Sequence, residues 1–321
     1  MREGDHAQAG GLFSELVSRF GRGPLLRGRG PRTAVVTDTA SGLPEAFVRA
    51  NADLLTVVPM PVTIDTQVYV EGVDDVMTEL SLGLAMGHKV TTSRPAPGQF
   101  LRALEAAVAA GAEQIVVVCI SSRLSGTVDA ALWAAERVDA DVRVVDSLSV
   151  GLGEGFAVMA AVEASRARLP IQDVVAAASS ARDARVWFCV PSLEQLRRGG
   201  RIGAAASVIG TLLSVKPILT VDASGAIVAS EKARTMPRAI AHLIELGIDQ
   251  AGDDPSQVLV GVHHFGAAEE AAAVAEALAP FTSSPVIVTP VPAVLGAHTG
   301  AGAIALVVRT PGGVRPAAPG H

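Results

Sequence analysis

The sequence predicts an α/β protein in two parts: a parallel-sheet unit over residues 33–169, then an α+β unit over residues 170–309. Three observations carry that expectation. Strand, polar turn and helix recur four times along the first half of the chain, which implies parallel strands joined by right-handed crossovers. The run Ile115–Ile120 is apolar and largely β-branched with no polar alternation, as in a strand covered on both faces. After Leu169 and Pro170 the pattern changes, and Asp222–Gly225 between two apolar runs signals a hairpin.

Residues 1–32 stand apart. Leu12, Phe13, Leu16, Val17 and Phe20 share one face of a short helix, and Arg22, Arg27, Arg29 and Arg32 follow among glycines and prolines. The segment reads either as a disordered extension or as a basic amphipathic stretch in transient contact with an anionic membrane through residues 12–32. The regular pattern then begins. Ala34–Thr37 is a strand, Asp38–Ser41 a polar turn, and Leu43, Pro44 and Glu45 open a helix. Leu54–Val62 is a second apolar run, broken near its end by Pro59 and Pro61. Glu71, Asp74 and Asp75 lack the spacing of a calcium loop, so Gln67–Asp75 is expected to be a solvated loop. Thr91–Pro95 forms a hydroxyl-rich turn ahead of a helix over Gly98–Ala110.

A second hydroxyl-rich turn, Ser121–Thr127, joins the strand ending at Ile120 to a helix on which Ala130, Ala131, Trp133, Ala134 and Val138 fall at helical spacing. Open α/β sheets bind ligands at such turns, and the amide groups of the helix start favour an anion. Three serines, a threonine and no lysine suit a small anionic head group; the phosphate-binding G-x-x-x-x-G-K-[ST] pattern is absent. Ser125 also reads as an ordinary helix cap. Val142–Val145 is a further strand, and Gly151, Gly153 and Gly155 open a helix without the spacing of a dinucleotide fingerprint.

In the second unit the expected elements are helix Val174–Ala181, strand Val186–Val190, helix Ser192–Arg198, the hairpin Val215–Ala229, helix Pro237–Leu246, strand Val258–Val262, helix Ala267–Leu278, strand Val286–Val288 and strand Ala303–Val308. Arg197, Arg198 and Arg201 cluster beside Gly199 and Gly200, as a solvated helix end or as the seat of an anion or acidic partner. The tail, residues 310–321, is Pro- and Gly-rich and reads as disordered. With 26 Lys and Arg against 32 Asp and Glu the net charge is −6, which argues against a nucleic-acid partner. Cys119 and Cys189 sit in apolar runs as buried thiols of a reducing compartment. Without a secretory leader or a membrane span, the expected location is cytoplasmic.

Nine segments together resemble the DegV family of bacterial fatty-acid-binding proteins: VTDTASGLP (36–44), VVPMPV (57–62), TSRP (92–95), ISSRLSGT (120–127), VVDS (144–147), LEQLRRGGRIG (193–203), KPILTV (216–221), KART (232–235) and AHTGAG (297–302). The resemblance implies two domains with one long-chain fatty acid in a lipid pocket between them. It implies no cofactor, and a separate ATP-dependent fatty acid kinase that converts the carboxylate to an acyl phosphate for phospholipid synthesis. It places the carboxylate contacts on Thr92, Ser125 and His298, with Ser93, Gly126, Thr127, Thr299 and Gly300 nearby. Arg94 stands where the family commonly has Gln, and Ala301 where it commonly has Pro. Arg197, Arg198, Arg201, Lys232 and Arg234 are candidates for docking the kinase or neutralising phosphate, with plain surface charge as the alternative. The chemistry of these residues agrees, since a carboxylate needs donors and two hydroxyls and an imidazole supply them. A serine-dependent lipid hydrolase or acyltransferase, with Ser125 as nucleophile and His298 as base, is the rival, although the turn lacks a G-x-S-x-G elbow.

Overall fold

The computed structural model describes residues 32–203 and 215–310, so the basic segment before Arg32 and the tail after Thr310 lie outside the described residues. The chain begins with β1 (Thr33–Asp38), α1 (Glu45–Ala50) and β2 (Leu55–Val58), then makes an excursion through β3 (Val62–Ile64), β4 (Gln67–Tyr69), α2 (Val76–Met86) and β5 (Val90–Thr92). It returns along α3 (Pro97–Ala109) to β6 (Gln114–Cys119), α4 (Thr127–Ala135) and β7 (Asp141–Asp146), and continues into α5 (Leu152–Arg166) and α6 (Ile171–Ser180). The remainder is β8 (Ala184–Cys189), α7 (Glu194–Arg198), β9 (Lys216–Val221), β10 (Ile227–Ala233), α8 (Met236–Ala251), β11 (Leu259–His264), α9 (Ala268–Leu278), β12 (Ile287–Pro290), α10 (Ala293–Thr299) and β13 (Ile304–Arg309).

The first sheet has the order β2-β1-β6-β7 and is parallel throughout, as the repeated strand and helix pattern predicts. From β1 the chain steps to one side to make β2 and later to the other to make β6. A crevice therefore opens where the loops after β1 and β6 diverge, which is where such sheets hold ligands. The second sheet, β10-β9-β8-β13-β11-β12, is antiparallel except for the β11–β12 pair. Asp222–Gly225 makes the expected hairpin, with Asp222 accepting from the backbone of Ser224 and Ala226.

Helix α5 joins the two sheets. Leu152, Phe156, Met159 and Val162 are all buried, in one cluster with Val35 and Val116 of the first sheet and Val186 and Val307 of the second. The helix is covered on nearly every side, with Glu163 and Arg166 toward the surface, and its buried Glu154 accepts from the Thr37 hydroxyl at 3.1 Å. The close approach requires Gly155, where a Cβ would sit 2.6 Å from the carbonyl oxygen of Ser41. Helix α6 starts at Ile171, ahead of the expected Val174, and packs on β6 and β7 of the first sheet. Cys119 and Cys189 are both buried and free.

Three expectations are corrected. Gln67–Asp75 is not simply a solvated loop: it contains β4, and Glu71 turns inward to accept a hydrogen bond from the Ala293 backbone N–H at 2.6 Å. Thr92 ends β5, which pairs with β3 in a small antiparallel sheet β4-β3-β5 rather than lying in a turn. Trp133 is not on the buried face of α4; it is 39% exposed, with the Arg137 guanidinium 3.9 Å from its ring centre.

Candidate ligand-binding site

The loops at the crevice are fixed from beneath by a buried acid. Asp38 ends β1, and its carboxylate accepts from the Ala40 N–H at 2.9 Å and the Ile120 N–H at 3.1 Å, so one side chain holds the starts of both turns. Burial pushes its pKa up to about 7, against the pull of those two donors. Ser121 then links the sheets: its hydroxyl donates to the Gly225 carbonyl in the β9–β10 hairpin at 2.8 Å. Farther along the turn, the Ser125 and Thr127 hydroxyls lie 2.7 Å apart. The residue that caps α4 is Gly126, with no side-chain bond, so Ser125 is not the helix cap that the sequence allows.

His298 reaches the crevice from the last turn of α10, which Gly300 ends at φ 76°. Its Nε2 lies 2.8 Å from the Thr92 hydroxyl, a contact between residues 206 apart in the chain. The Nδ1 and Cε1 edge of the ring packs on Gly199, where any Cβ would overlap it. Desolvation, reinforced by the charge of Arg201, lowers the His298 pKa to about 4, so the imidazole is neutral at pH 7. In the tautomer with Nε2–H, the ring donates to Thr92 and leaves the Thr92 hydroxyl proton free for a ligand. Thr127 can serve Ser125 in the same way, so both cavity-facing hydroxyls are backed by a donor.

These groups stand at the mouth of a cavity with about 890 Å³ of space between atoms, some of it open to solvent. Thr92, Ser93, Ser125, His298 and Thr299 all line it, joined by Arg94 and Arg201. The Arg201 guanidinium donates to the carbonyls of Leu124 at 3.2 Å and Gly199 at 2.6 Å. Inward, the walls become apolar: Ile120 and Val150 from the first unit face Phe188, Ile227, Ala305 and Val307 from the second sheet. Gly126 and Thr127 flank Ser125 outside the lining. Arg197, Arg198, Lys232 and Arg234 are exposed and do not enter the cavity, and Arg198 is paired with Glu194 at 2.5 Å.

Sequence reasoning missed Glu71 and His263 besides Asp38, and marked Arg94 only as a departure from the family pattern. Arg94 lies along Gly126 and donates to its carbonyl at 3.1 Å. Glu71 anchors the start of α10 and so the helix that carries His298. His263 is buried beside the cavity; its Nε2 accepts from the Leu152 N–H at 2.9 Å, and Nδ1 lies 3.3 Å from the Thr289 carbonyl. Desolvation holds its pKa near 4. The signal for His263 is in the sequence, where the apolar run Val258–Val262 meets two histidines.

Fold and cavity together define a class: α/β proteins whose two sheets close around an apolar chamber with a polar, donor-rich mouth. The chain belongs to the DegV family, whose sequence profile, described as an uncharacterised protein of the DegV family, matches residues 32–310. It is 38% identical to a DegV domain-containing protein of Streptomyces coelicolor, over 86% of this chain and 97% of that one. The fold is similar to that of a DegV family protein from Thermus thermophilus described for its fatty acid binding, with a TM-score of 0.81 and 30% identity over 87% of this chain and 99% of that one. A similar match is DegV of Bacillus subtilis, described as a fatty acid binding protein, with a TM-score of 0.76 and 29% identity over 87% and 99% of the two chains. No helix among the described residues is long and apolar enough to cross a membrane.

Proposed function

We propose that this chain holds one long-chain fatty acid, with the carboxylate at Thr92, Ser125 and His298 and the acyl chain between the two sheets. The observation that carries the reading is that the cavity places hydrogen-bond donors at its mouth and apolar walls behind them. At ~0.8 kcal/mol per buried methylene, a long chain supplies on the order of 10 kcal/mol of transfer free energy, so the tail drives binding and the mouth orients the head. The fatty acid binding described for the Thermus thermophilus and Bacillus subtilis relatives supports the same reading.

We further propose that residues 33–169 and 170–309 act as two domains around that ligand, and that an ATP-dependent kinase receives the exposed carboxylate and forms the acyl phosphate used in phospholipid synthesis. Arg197, Arg198, Lys232 and Arg234, all exposed, would dock that kinase. Holding is favoured over hydrolysis because Ser125 is bonded to Thr127 while His298 is bonded to Thr92, whereas a nucleophilic serine needs its base within hydrogen-bond reach. The test is Ser125→Ala and Thr92→Ala. Each is expected to weaken fatty acid binding by roughly 1–3 kcal/mol, the worth of a hydrogen bond to a charged group, with no ester turnover in the parent protein. Turnover of a chromogenic long-chain ester that disappears in Ser125→Ala would establish the hydrolase instead.

A further inference from the structure

Strand β13 enters the chamber from the side of the mouth, following the turn that ends α10 at Gly300. Ala303, just before the strand, and Ala305 and Val307 within it all line the cavity. Alternate residues of a strand share one face, and at ~3.4 Å per residue this row runs roughly 14 Å inward. The register of the second sheet shows what stands beside each member. Ala305 lies between His263 of β11 and Phe188 of β8, and both rings line the cavity. A methyl group between two rings leaves a gutter along the strand. The His263 wall is fixed, because Nε2 accepts from the Leu152 N–H, Nδ1 lies 3.3 Å from the Thr289 carbonyl, and the ring fills the space beside Gly42 and Gly151.

Two residues farther in, Val307 lies between Val186 of β8 and Gly261 of β11. The place of a side chain at Gly261 is taken by Leu152 of α5, whose Cδ1 would lie 2.5 Å from a Cβ there. The floor of the gutter therefore rises from alanine to valine where both flanks are already filled. Val307, Val186 and Leu152 belong to the packed cluster around α5, whereas Ala303 and Phe188 belong to a separate one. Resting on the fatty-acid reading above, we propose that β13 gauges the length of the acyl chain: the tail lies over Ala303 and Ala305, and its terminal methyl stops against Val307. Val307 and Ala305 are thus the specificity-determining residues for chain length. A methylene added before the stop leaves water for an apolar wall, whereas one added after it must displace packed core or remain in water.

The test uses the full chain stripped of lipid and the saturated acids from dodecanoate to icosanoate. In the parent protein, affinity is expected to rise about fourfold per methylene to a maximum and to fall before icosanoate. Val307→Ala should move the maximum at least two carbons longer and strengthen binding of the acid two carbons beyond the parent optimum by at least about tenfold. Ala305→Val narrows the gutter ahead of the stop and should move the maximum at least two carbons shorter. If affinity climbs through icosanoate in the parent, or if either folded variant keeps the parent maximum, the gauge is overturned and the fatty-acid reading stands. Should Val307→Ala fail to fold, the direction of the shift in Ala305→Val decides alone. If the parent binds none of the acids, the fatty-acid reading falls and the gauge with it.

Discussion

At the scale of single residues, the proposal depends on a neutral imidazole that passes its hydrogen bond to a hydroxyl. The His298 pKa near 4, against an ordinary value of 6.5, means that it titrates far below neutrality. Followed by NMR in a labelled sample, its midpoint should lie near 4; a midpoint close to 6.5 would show a solvated ring and remove the argument for its tautomer. Fatty acid affinity should likewise show no inflection from His298 between about pH 6 and 8. The residue types of the site were legible in the sequence, because two hydroxyl-rich turns and a glycine-flanked histidine are visible as strings. Their pairing was not, since Thr92 and His298 are 206 residues apart and meet only through tertiary packing. Asp38 looks like part of a polar turn for a related reason: a sequence shows a carboxylate but not the two backbone amides that converge on it.

Among the elements, α5 and the small sheet illustrate what periodicity reveals and what it hides. Gly151, Gly153 and Gly155 mark the opening of a helix in the sequence and in the fold. That the helix is buried agrees with its many apolar and small residues, but the partner of each face, and of the buried Glu154, is set by distant strands. A methyl group on Gly155 would meet backbone, which cannot move aside as a side chain can. Gly155→Ala is therefore expected to destabilise the fold by roughly 1–3 kcal/mol, the usual cost of overpacking, read as a lower urea midpoint at unchanged slope. An unchanged midpoint would mean that the turn after β1 is not pressed on α5 as described. Helix α2 leaves no clear signal in the sequence, because it buries Val76, Leu80 and Gly83 but exposes Leu82 and Met86, so no clean apolar stripe marks it. The inward turn of Glu71 was hidden for the same reason, since its partner is the first amide of a helix more than 200 residues later.

Across the whole molecule, the parallel sheet, the later hairpin and the strand-to-helix turns at the crevice were legible, because repeated strand, turn and helix units impose parallel pairing and Asp222–Gly225 marks a turn. The junction between the units was not, and it is built partly from His263, which bonds the start of α5 from β11. His263 favours its neutral form in the fold, with a pKa near 4 against 6.5 when unfolded, so its contribution is fully present above about pH 6.5 and is lost as pH falls toward 4. Asp38 runs the other way, its contribution being lost as pH rises from about 4 toward 7. Replacing His263 with Gln should therefore make the slope of unfolding free energy against pH more negative by about 1.4 kcal/mol per pH unit inside that window, leaving the opposing slope of Asp38 unmatched; an unaltered slope would place the histidine outside the linkage. The central claim is that the chamber between the sheets holds a fatty acid, and native mass spectrometry of the protein purified without added lipid tests it most directly. The account predicts a stoichiometric adduct that denaturation releases as a long-chain fatty acid. A protein that is empty, and that stays empty when fatty acid is supplied, would contradict it.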